Sequence, residues 1–133
     1  MKSYEDVYKT AGAFSWTELM TNDPKAATEF YGNLFGWKFD VMNMGQGDYH
    51  VVKTDGTAIG GIMGIPPDSK GMPTAWGAYV TVADADAAVE KCKSLGGKVC
   101  AGPMDIPNVG RFAVLQDPQG AVFNVMAYSP PAN

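Results

Sequence analysis

Residues 14–39, FSWTELMTNDPKAATEFYGNLFGWKF, decide the fold of this chain. The stretch opens with the alternation and the β-branched and aromatic content of a strand. At Asp23-Pro24 a side chain that caps a helix precedes a residue suited to the first helical position. Gly36 marks the end of that helix, because glycine tolerates the left-handed cap conformation. The stretch therefore predicts a strand, a capped helix and a second strand.

The predicted helix is amphipathic. Four apolar or aromatic residues recur at helical spacing and are expected to share its core-facing side: Ala27, Phe30, Tyr31 and Leu34. A helix of this kind stabilises a fold by burying that side against a sheet.

The same order of signals returns about 60 residues later, in WGAYVTVADADAAVEKCKSLGGKV from Trp76 onward. A shift of 60 residues places Trp16 on Trp76, whereas a shift of 61 places Asp23 on Asp84. Two copies are too few for a solenoid, which needs three or more repeats. We therefore predict one domain with an internal pseudo-twofold axis.

Each copy is predicted to follow the order βαβββ, which gives an α+β fold of eight strands and two helices. We expect a single domain over residues 1–133, with module one at about 11–65, a Pro-rich linker at 66–73 and module two at about 74–128. Turn residues separate the strands at Gly45-Gln46-Gly47, Asp55-Gly56 and Asp117-Pro118-Gln119-Gly120. The predicted strands lie at about 13–21, 37–44, 49–54, up to 65, 76–82, 97–104, 111–116 and 121–127, and the helices at about 24–34 and 84–95.

Composition limits the classes of partner. The 133 residues carry a net charge of −4, with no basic cluster, which argues against a nucleic-acid partner. No apolar run approaches the roughly 20 residues of a membrane helix, so no membrane partner is expected. The first ten residues lack the apolar core of a signal peptide and read as a short arm. We therefore expect a cytoplasmic protein.

Two cysteines, Cys92 and Cys100, are expected to be free thiols, as is usual in a reducing compartment. The chain shows neither a CxxC motif nor the paired-histidine spacing of a zinc site.

Two motifs carry a resemblance to a known family. The pattern W.EL.T.D...A..FY..LFGW in residues 16–37, together with GRF.VL.DP.GA.F in residues 110–123, resembles the glyoxalase / bleomycin-resistance / extradiol-dioxygenase superfamily, also called vicinal oxygen chelate proteins. The resemblance covers about residues 13–128 and includes the duplication. It implies that the two βαβββ modules pair their sheets into a cup, in which family members often hold a divalent metal.

The family's metal ligands typically come from the first and last strands of each module. By resemblance these positions are Trp16, Gly61, Gly77 (or Trp76, if the tryptophans are aligned) and Asn124. We prefer Gly77, because aligning the helix-start aspartates leaves Tyr79 facing the cup. Divalent ions need converging imidazole, carboxylate or thiolate donors, which these positions do not supply. We therefore expect no metal and no other cofactor; an altered ligand set would have to use Glu18 and His50.

Glu18 is the candidate catalytic residue. Strand alternation places it on the same side as Trp16 and Met20, where burial would raise a carboxyl pKa and suit it to proton transfer. The alternative is a structural carboxylate that pairs with a cation or with backbone at the rim.

Seven further residues are candidates for binding a small organic molecule: Trp16, Met20, His50, Trp76, Tyr79, Arg111 and Asn124. The aromatic residues would line a pocket for a planar or apolar ligand, and Arg111 could bind a carboxylate or phosphate. Each also has a structural alternative: core packing for the aromatics and methionine, an ordinary strand position for His50 and a surface ion pair for Arg111.

Three functions remain open from sequence. The first is a metal-free member of the superfamily that binds a small organic molecule, as bleomycin-resistance proteins do. The second is an enzyme, either a lyase, isomerase or dioxygenase with an altered metal site or a metal-free one with Glu18 as base. The third is a structural dimer without a ligand. In each case the resemblance implies a homodimer, and the arm at residues 1–12 could lie across a partner.

Overall fold

The computed structural model describes residues 1–43, 47–69 and 71–129. This part of the chain contains eight strands and two α-helices, so the predicted α+β class with two βαβββ modules is confirmed. In chain order they are β1 Phe14–Thr21, α1 Pro24–Phe35, β2 Lys38–Asn43, β3 Asp48–Thr54, β4 Thr57–Gly64, β5 Ala75–Thr81, α2 Ala85–Ser94, β6 Lys98–Ile106, β7 Gly110–Gln116 and β8 Val122–Tyr128. Short 3-10 helices occupy Tyr4–Tyr8 and Pro67–Ser69.

The helix starts follow the predicted chemistry. The Asp23 carboxylate accepts a hydrogen bond from the backbone N–H of Ala26 at 3.0 Å, and Asp84 accepts from Ala87 at 3.1 Å. Each bond satisfies a backbone donor that the first turn leaves without a helical partner. Gly36 ends α1 in the left-handed conformation, with φ of 73°. Equivalent caps therefore begin α1 and α2.

In the first half of the chain the strands are ordered β2-β3-β4-β1, and in the second half they are ordered β5-β8-β7-β6. The chain divides into two compact units: a first-half unit, Trp16–Gly77, and a second-half unit, Met1–Ser15 with Ala78–Asn133. The two units are described separately below. The module boundaries drawn from sequence, and the extent of the domain, stay predictions.

The first-half unit has its core between its sheet and α1. Leu19, Val52 and Ile62 are buried there, from three different strands. Ala27 and Tyr31 of α1 pack against this cluster, together with Trp37, Phe39 and Ile59. The core therefore lies on one side of the sheet and leaves the opposite side of β1 and β4 for other contacts.

The second-half unit repeats this arrangement around α2. Val89 of α2 packs with Ala113, Leu115 and Val125, and the surrounding apolar residues include Val82. Cys92 belongs to the same surroundings, and both cysteines are free thiols as predicted.

Of the four residues predicted to share one side of α1, two pack on the core and two do not. Ala27 and Tyr31 pack on the core, but the side chains of Phe30 and Leu34 are 60% and 58% exposed. Helical spacing groups these residues correctly along α1, yet the sheet covers only the part of the circumference centred on Ala27 and Tyr31.

The N-terminal arm packs on its own unit. The backbone N–H of Gly12 donates to the carbonyl of Thr81 at 2.8 Å, and the Thr81 hydroxyl donates to the carbonyl of Val7 at 2.6 Å. The Tyr8 ring meets Tyr128 edge to face, with centroids 4.9 Å apart. These contacts tie the arm to β5 and β8 and give no support to the prediction that it lies across a partner.

The predicted turns are present where the structure describes them. Asp55-Gly56 joins β3 to β4 with positive φ at both residues, and the N–H of Gly120 closes the turn from Asp117 at 3.0 Å. Of the turn predicted at 45–47, only Gly47 lies within the described residues. No helix in the described ranges is long and apolar enough to cross a membrane.

Candidate functional site

The side of the first-half sheet that faces away from α1 carries the candidate site. β1 runs parallel to β4 with Glu18 opposite Gly61 and Leu19 opposite Ile62. Leu19 and Ile62 belong to the α1 cluster. Because side chains alternate along a strand, Glu18 lies on the other side, as do Trp16 and Met20. We refer to this side as the Glu18 face.

A tyrosine that the sequence did not single out completes this face. The Tyr49 hydroxyl donates to Oε2 of Glu18 at 2.8 Å and accepts from Nε1 of Trp16 at 2.9 Å. All three side chains are half-buried. The result is a directed chain of hydrogen bonds, Trp16 to Tyr49 to Glu18, that ends on a carboxylate.

Gly61 makes room for this chain. A Cβ added to Gly61 would collide with the Tyr49 ring and its hydroxyl oxygen. The phenol thus fills the volume that a side chain at position 61 would occupy.

The second-half unit places Tyr79 and Asn124 in the corresponding positions. β5 runs parallel to β8 with Tyr79 opposite Asn124 and Val80 opposite Val125. Val125 packs towards α2, so Tyr79 and Asn124 lie on the other side of the sheet. This register supports the shift of 61 residues, which superposes Tyr79 on Glu18, rather than the alignment of the tryptophans.

Tyr79 is buried, and Asn124 binds the backbone of its own unit. Tyr79 is 6% exposed. The Asn124 amide donates from Nδ2 to the carbonyl of Ala78 at 3.2 Å, which ties β8 to β5. Whether Trp16 and Tyr79 face one cavity stays a prediction.

His50 does not join the Glu18 face. It pairs with Ile62 across β3 and β4, and strand neighbours of this kind share a side of the sheet, so His50 lies on the α1 side. There it lines a cavity of about 520 Å³ together with Lys25 and Thr28 of α1. His50 and Glu18 have opposite parity relative to the core, so this placement gives no support to a site that they share, and the binding role of His50 stays a prediction.

Trp76 also lies on the α1 side. Its indole N–H donates to the Tyr31 hydroxyl at 3.1 Å, and its ring meets those of Tyr31 and Trp37 edge to face. Both partners pack against the core of the first-half unit. Trp76 is therefore part of an aromatic cluster around α1, and its predicted ligand role has no support in this placement.

Arg111 is engaged by two carboxylates. Its Nε and one terminal nitrogen donate to Asp86 at 2.8 and 3.1 Å, and the other terminal nitrogen lies 3.2 Å from Asp105. Arg111 and Ala113 are two residues apart on β7 and therefore share a side of the sheet. Ala113 packs towards α2, so Arg111 also lies on the α2 side, opposite the side of Asn124. The surface ion pair is the role that the structure supports.

The four family metal positions do not fit a divalent ion. Trp16 uses its N–H as a donor, Gly61 has no side chain and its space holds the Tyr49 phenol, Gly77 has no side chain, and the Asn124 amide binds backbone. Within the described ranges no three His, Cys, Asp or Glu side chains are grouped closely enough to share an ion. Carboxylate, imidazole or thiolate donors in that number are what such ions require.

Comparisons with known proteins define the class. The family model for the Glyoxalase/Bleomycin resistance protein/Dioxygenase superfamily matches residues 13–125. The chain belongs to this superfamily, as the sequence motifs predicted.

Two curated proteins are similar to this chain in sequence. The chain is 43% identical over 120 residues to the Mycobacterium tuberculosis protein named "Putative glyoxylase CFP32", covering 90% of this chain and 45% of the relative. It is 35% identical over 127 residues to "Anthracycline biosynthesis protein DnrV" of Streptomyces peucetius, covering 86% of this chain and 46% of the relative. The chain thus spans about half the length of these relatives.

Among solved structures, methylmalonyl-CoA epimerase from Mycobacterium tuberculosis matches with a TM-score of 0.62 at 17% identity, over 91% of this chain and 93% of that one. Protein BH1468 of Bacillus halodurans matches with a TM-score of 0.67 at 13% identity, over 93% and 99%. At these identities the likeness concerns the fold alone.

The Asp86–Arg111 pair predicts a pH dependence of stability. The hydrogen bond from Arg111 lowers the pKa of Asp86 below its ordinary carboxyl value. A lowered folded-state pKa stabilises the fold above the ordinary value, and this stabilisation is lost as the pH falls through the folded-state pKa. We expect Asp86→Asn to unfold at lower urea concentration than the wild type at pH near 7, and the difference to vanish in strongly acidic buffer. Asp68→Asn, at an exposed carboxylate of the first-half unit, is the control; an Asp86→Asn deficit that persists in acid would contradict the assignment.

Proposed function

We propose that this domain binds a small organic molecule on the Glu18 face without a divalent metal. The observation that carries the proposal is the Trp16–Tyr49–Glu18 chain of hydrogen bonds. It places a carboxylate next to a half-buried indole, with the thioether of Met20 on the same face. Few, well-placed polar groups among apolar side chains are typical of small-molecule sites.

The chemistry of the site favours a ligand that carries a hydrogen-bond donor. An ionised carboxylate only accepts hydrogen bonds, and its two oxygens offer about four acceptor positions. The Tyr49 proton is directed at Glu18, so the phenol is not the group that offers a proton to a ligand. A hydroxyl or N–H on an apolar, planar body would meet both the carboxylate and the indole.

The name of one relative is consistent with a ligand of this kind. One relative is named for anthracycline biosynthesis, and anthracyclines are planar polycyclic molecules with phenolic hydroxyls. We therefore propose a hydroxylated planar aromatic compound as the ligand class. The other relative is named a putative glyoxylase, which favours a second candidate: an enzyme that uses Glu18 as a general base.

The first test compares two ligands and two carboxylate variants. We expect a hydroxyanthraquinone to raise the melting temperature of the wild type, because a ligand of the native state stabilises it by mass action, and the parent anthraquinone to have a smaller effect. Glu18→Gln should weaken hydroxyanthraquinone binding about tenfold, since it removes a charged acceptor. Glu90→Gln, at the exposed carboxylate that pairs with Lys93, should bind as the wild type does.

Calorimetric titration measures these affinities. Equal affinities for both ligands would contradict the proposed donor requirement, and equal affinities of the Glu18→Gln and Glu90→Gln variants would remove Glu18 from the site. If the wild type turns the ligand over, and Glu18→Gln binds it equally well but does not turn it over, the enzymatic candidate is supported instead.

The second test concerns metal content. Because the family positions Trp16, Gly61, Gly77 and Asn124 lack a set of strong donors, we expect protein purified without chelator to hold far less than one equivalent of any divalent metal. Elemental analysis by mass spectrometry measures this. About one equivalent of zinc, iron, nickel or manganese per chain would contradict the metal-free proposal.

We further propose that two copies of the chain form a homodimer through the aromatic surface around α1. Phe30, Leu34 and Phe35 are 57–60% exposed and Trp76 is 38% exposed. The rings of Phe30, Phe35 and Trp76 all meet the ring of Tyr31, with centroids 5.0–6.3 Å apart. Exposed apolar surface of this kind usually marks an interaction site.

The composition of this surface is compatible with a second copy of the chain. The surface holds no acidic or basic side chain among its named members, so two chains of net charge −4 can meet there with little repulsion.

Sedimentation velocity at micromolar concentration tests the dimer. We expect the wild type to sediment as a dimer and Leu34→Glu as a monomer, because the charge would have to be desolvated in the interface. Leu95→Glu is the matched control, since Leu95 is 69% exposed at the end of the other helix. A monomeric wild type, or equal disruption by both variants, would contradict this interface.

A further inference from the structure

The position of Tyr49 poses a geometric problem that Gly61 solves. Tyr49 lies on β3 and Glu18 on β1, and β4 runs between these two strands. Neighbouring strands are about 4.8 Å apart, so β3 and β1 are separated by roughly 10 Å. The Tyr49 side chain reaches Glu18 only by crossing over β4, and it crosses at the residue that has no side chain.

The alternation of β4 makes this crossing specific. Gly61 lies opposite both Glu18 on β1 and Val51 on β3, so it faces the same side of the sheet as Tyr49. An added Cβ there would overlap the phenol oxygen and two ring carbons of Tyr49. Position 61 and position 49 therefore share one space, which only one side chain can fill.

From the space above Gly61, the Tyr49 hydroxyl makes hydrogen bonds to both Trp16 and Glu18. A phenol has one O–H group, and the Tyr49 O–H donates its hydrogen bond to the Glu18 carboxylate. The phenol oxygen accepts a hydrogen bond from the indole N–H of Trp16. A hydrogen bond to an ionised carboxylate is stronger than one between neutral groups. Trp16 and Glu18, which both lie on β1, are therefore bridged by Tyr49 of β3.

We propose that Tyr49 is a positioning residue, whose phenol occupies the space above Gly61 and holds Glu18 and Trp16 in the arrangement that binds the ligand. The inference rests on the proposed function for its ligand, but the arrangement itself is measurable without one. Trp16 supplies the signal, because its indole N–H loses its acceptor if Tyr49 leaves or moves.

The ligand-free experiment follows the indole N–H signals by nitrogen-15 NMR. The chain has three tryptophans, so the indole region is simple to assign. We expect Tyr49→Phe to shift the Trp16 signal upfield and speed its exchange with solvent, and to leave Trp76 unchanged. Tyr31→Phe is the matched control, since Tyr31 accepts the indole proton of Trp76 and its removal should change that signal instead.

A glycine pair tests the shared space. Gly61→Ala should displace the phenol and change the Trp16 signal as Tyr49→Phe does. Gly64→Ala, on the same strand, should not, because an added Cβ there comes no closer than 3.6 Å to any heavy atom. In a Tyr49→Ala background, Gly61→Ala should lower the melting temperature less than in the wild type, since the clashing ring is absent. A Trp16 signal unaffected by both Tyr49→Phe and Gly61→Ala would overturn the inference.

Ligand binding completes the test. We expect Tyr49→Phe to bind hydroxyanthraquinone roughly five- to tenfold more weakly than the wild type, as for the loss of one positioning hydrogen bond, and Tyr31→Phe to bind normally. If Glu18→Gln weakens binding but Tyr49→Phe does not, positioning by Tyr49 is wrong and the proposed function stands. If the wild type does not bind hydroxyanthraquinone, the proposed ligand is wrong, and the Trp16 signals alone decide whether Tyr49 sets the arrangement.

Discussion

The parallel pairing of the first and last strands within each half is the constraint that decides which side chains lie on the side of the sheet away from the helix. Glu18 opposite Gly61 in one half, and Tyr79 opposite Asn124 in the other, fix which side chains face a helix and which face away. A slip of one residue would turn every side chain of the strand to the other side. The buried residues Leu19 and Val125 oppose such a slip, because each would leave its core cluster for the other side of the sheet.

Local chemistry made the elements of this fold predictable. Asp23 and Asp84 begin the helices as their capping chemistry requires, and Asp55-Gly56 forms the expected tight hairpin. The sequence does not show how much of the surface of α1 the sheet covers. For this reason the apolar side predicted for α1 includes Phe30 and Leu34, which are exposed. Helical periodicity gives the direction of a side chain but not the width of the sheet beneath it.

A β-bulge explains why the sequence did not predict the side of the sheet on which Tyr49 lies. Counting back from the hairpin, where Thr54 pairs with Thr57, would place Tyr49 opposite Ile62, on the α1 side of the sheet. The register shifts between Val52 and Lys53, so Tyr49 pairs with Met63 and its side chain reaches the Glu18 face. A bulge of this kind changes the parity of every residue beyond it and often re-aims side chains near functional sites. The same shift carries His50 to the α1 side.

The two halves share a backbone plan and differ in the side chains that it presents. Positions that are equivalent by register hold Glu18 and Gly61 in one half and Tyr79 and Asn124 in the other. In the second half the amide of Asn124 is used to join β8 to β5, which is a structural task. In the first half the missing side chain of Gly61 admits a phenol from β3, and the carboxylate of Glu18 accepts its hydrogen bond. Because the core of each half lies on its helix side, the side chains on the opposite side can differ between the halves without disturbing the packing that maintains the fold.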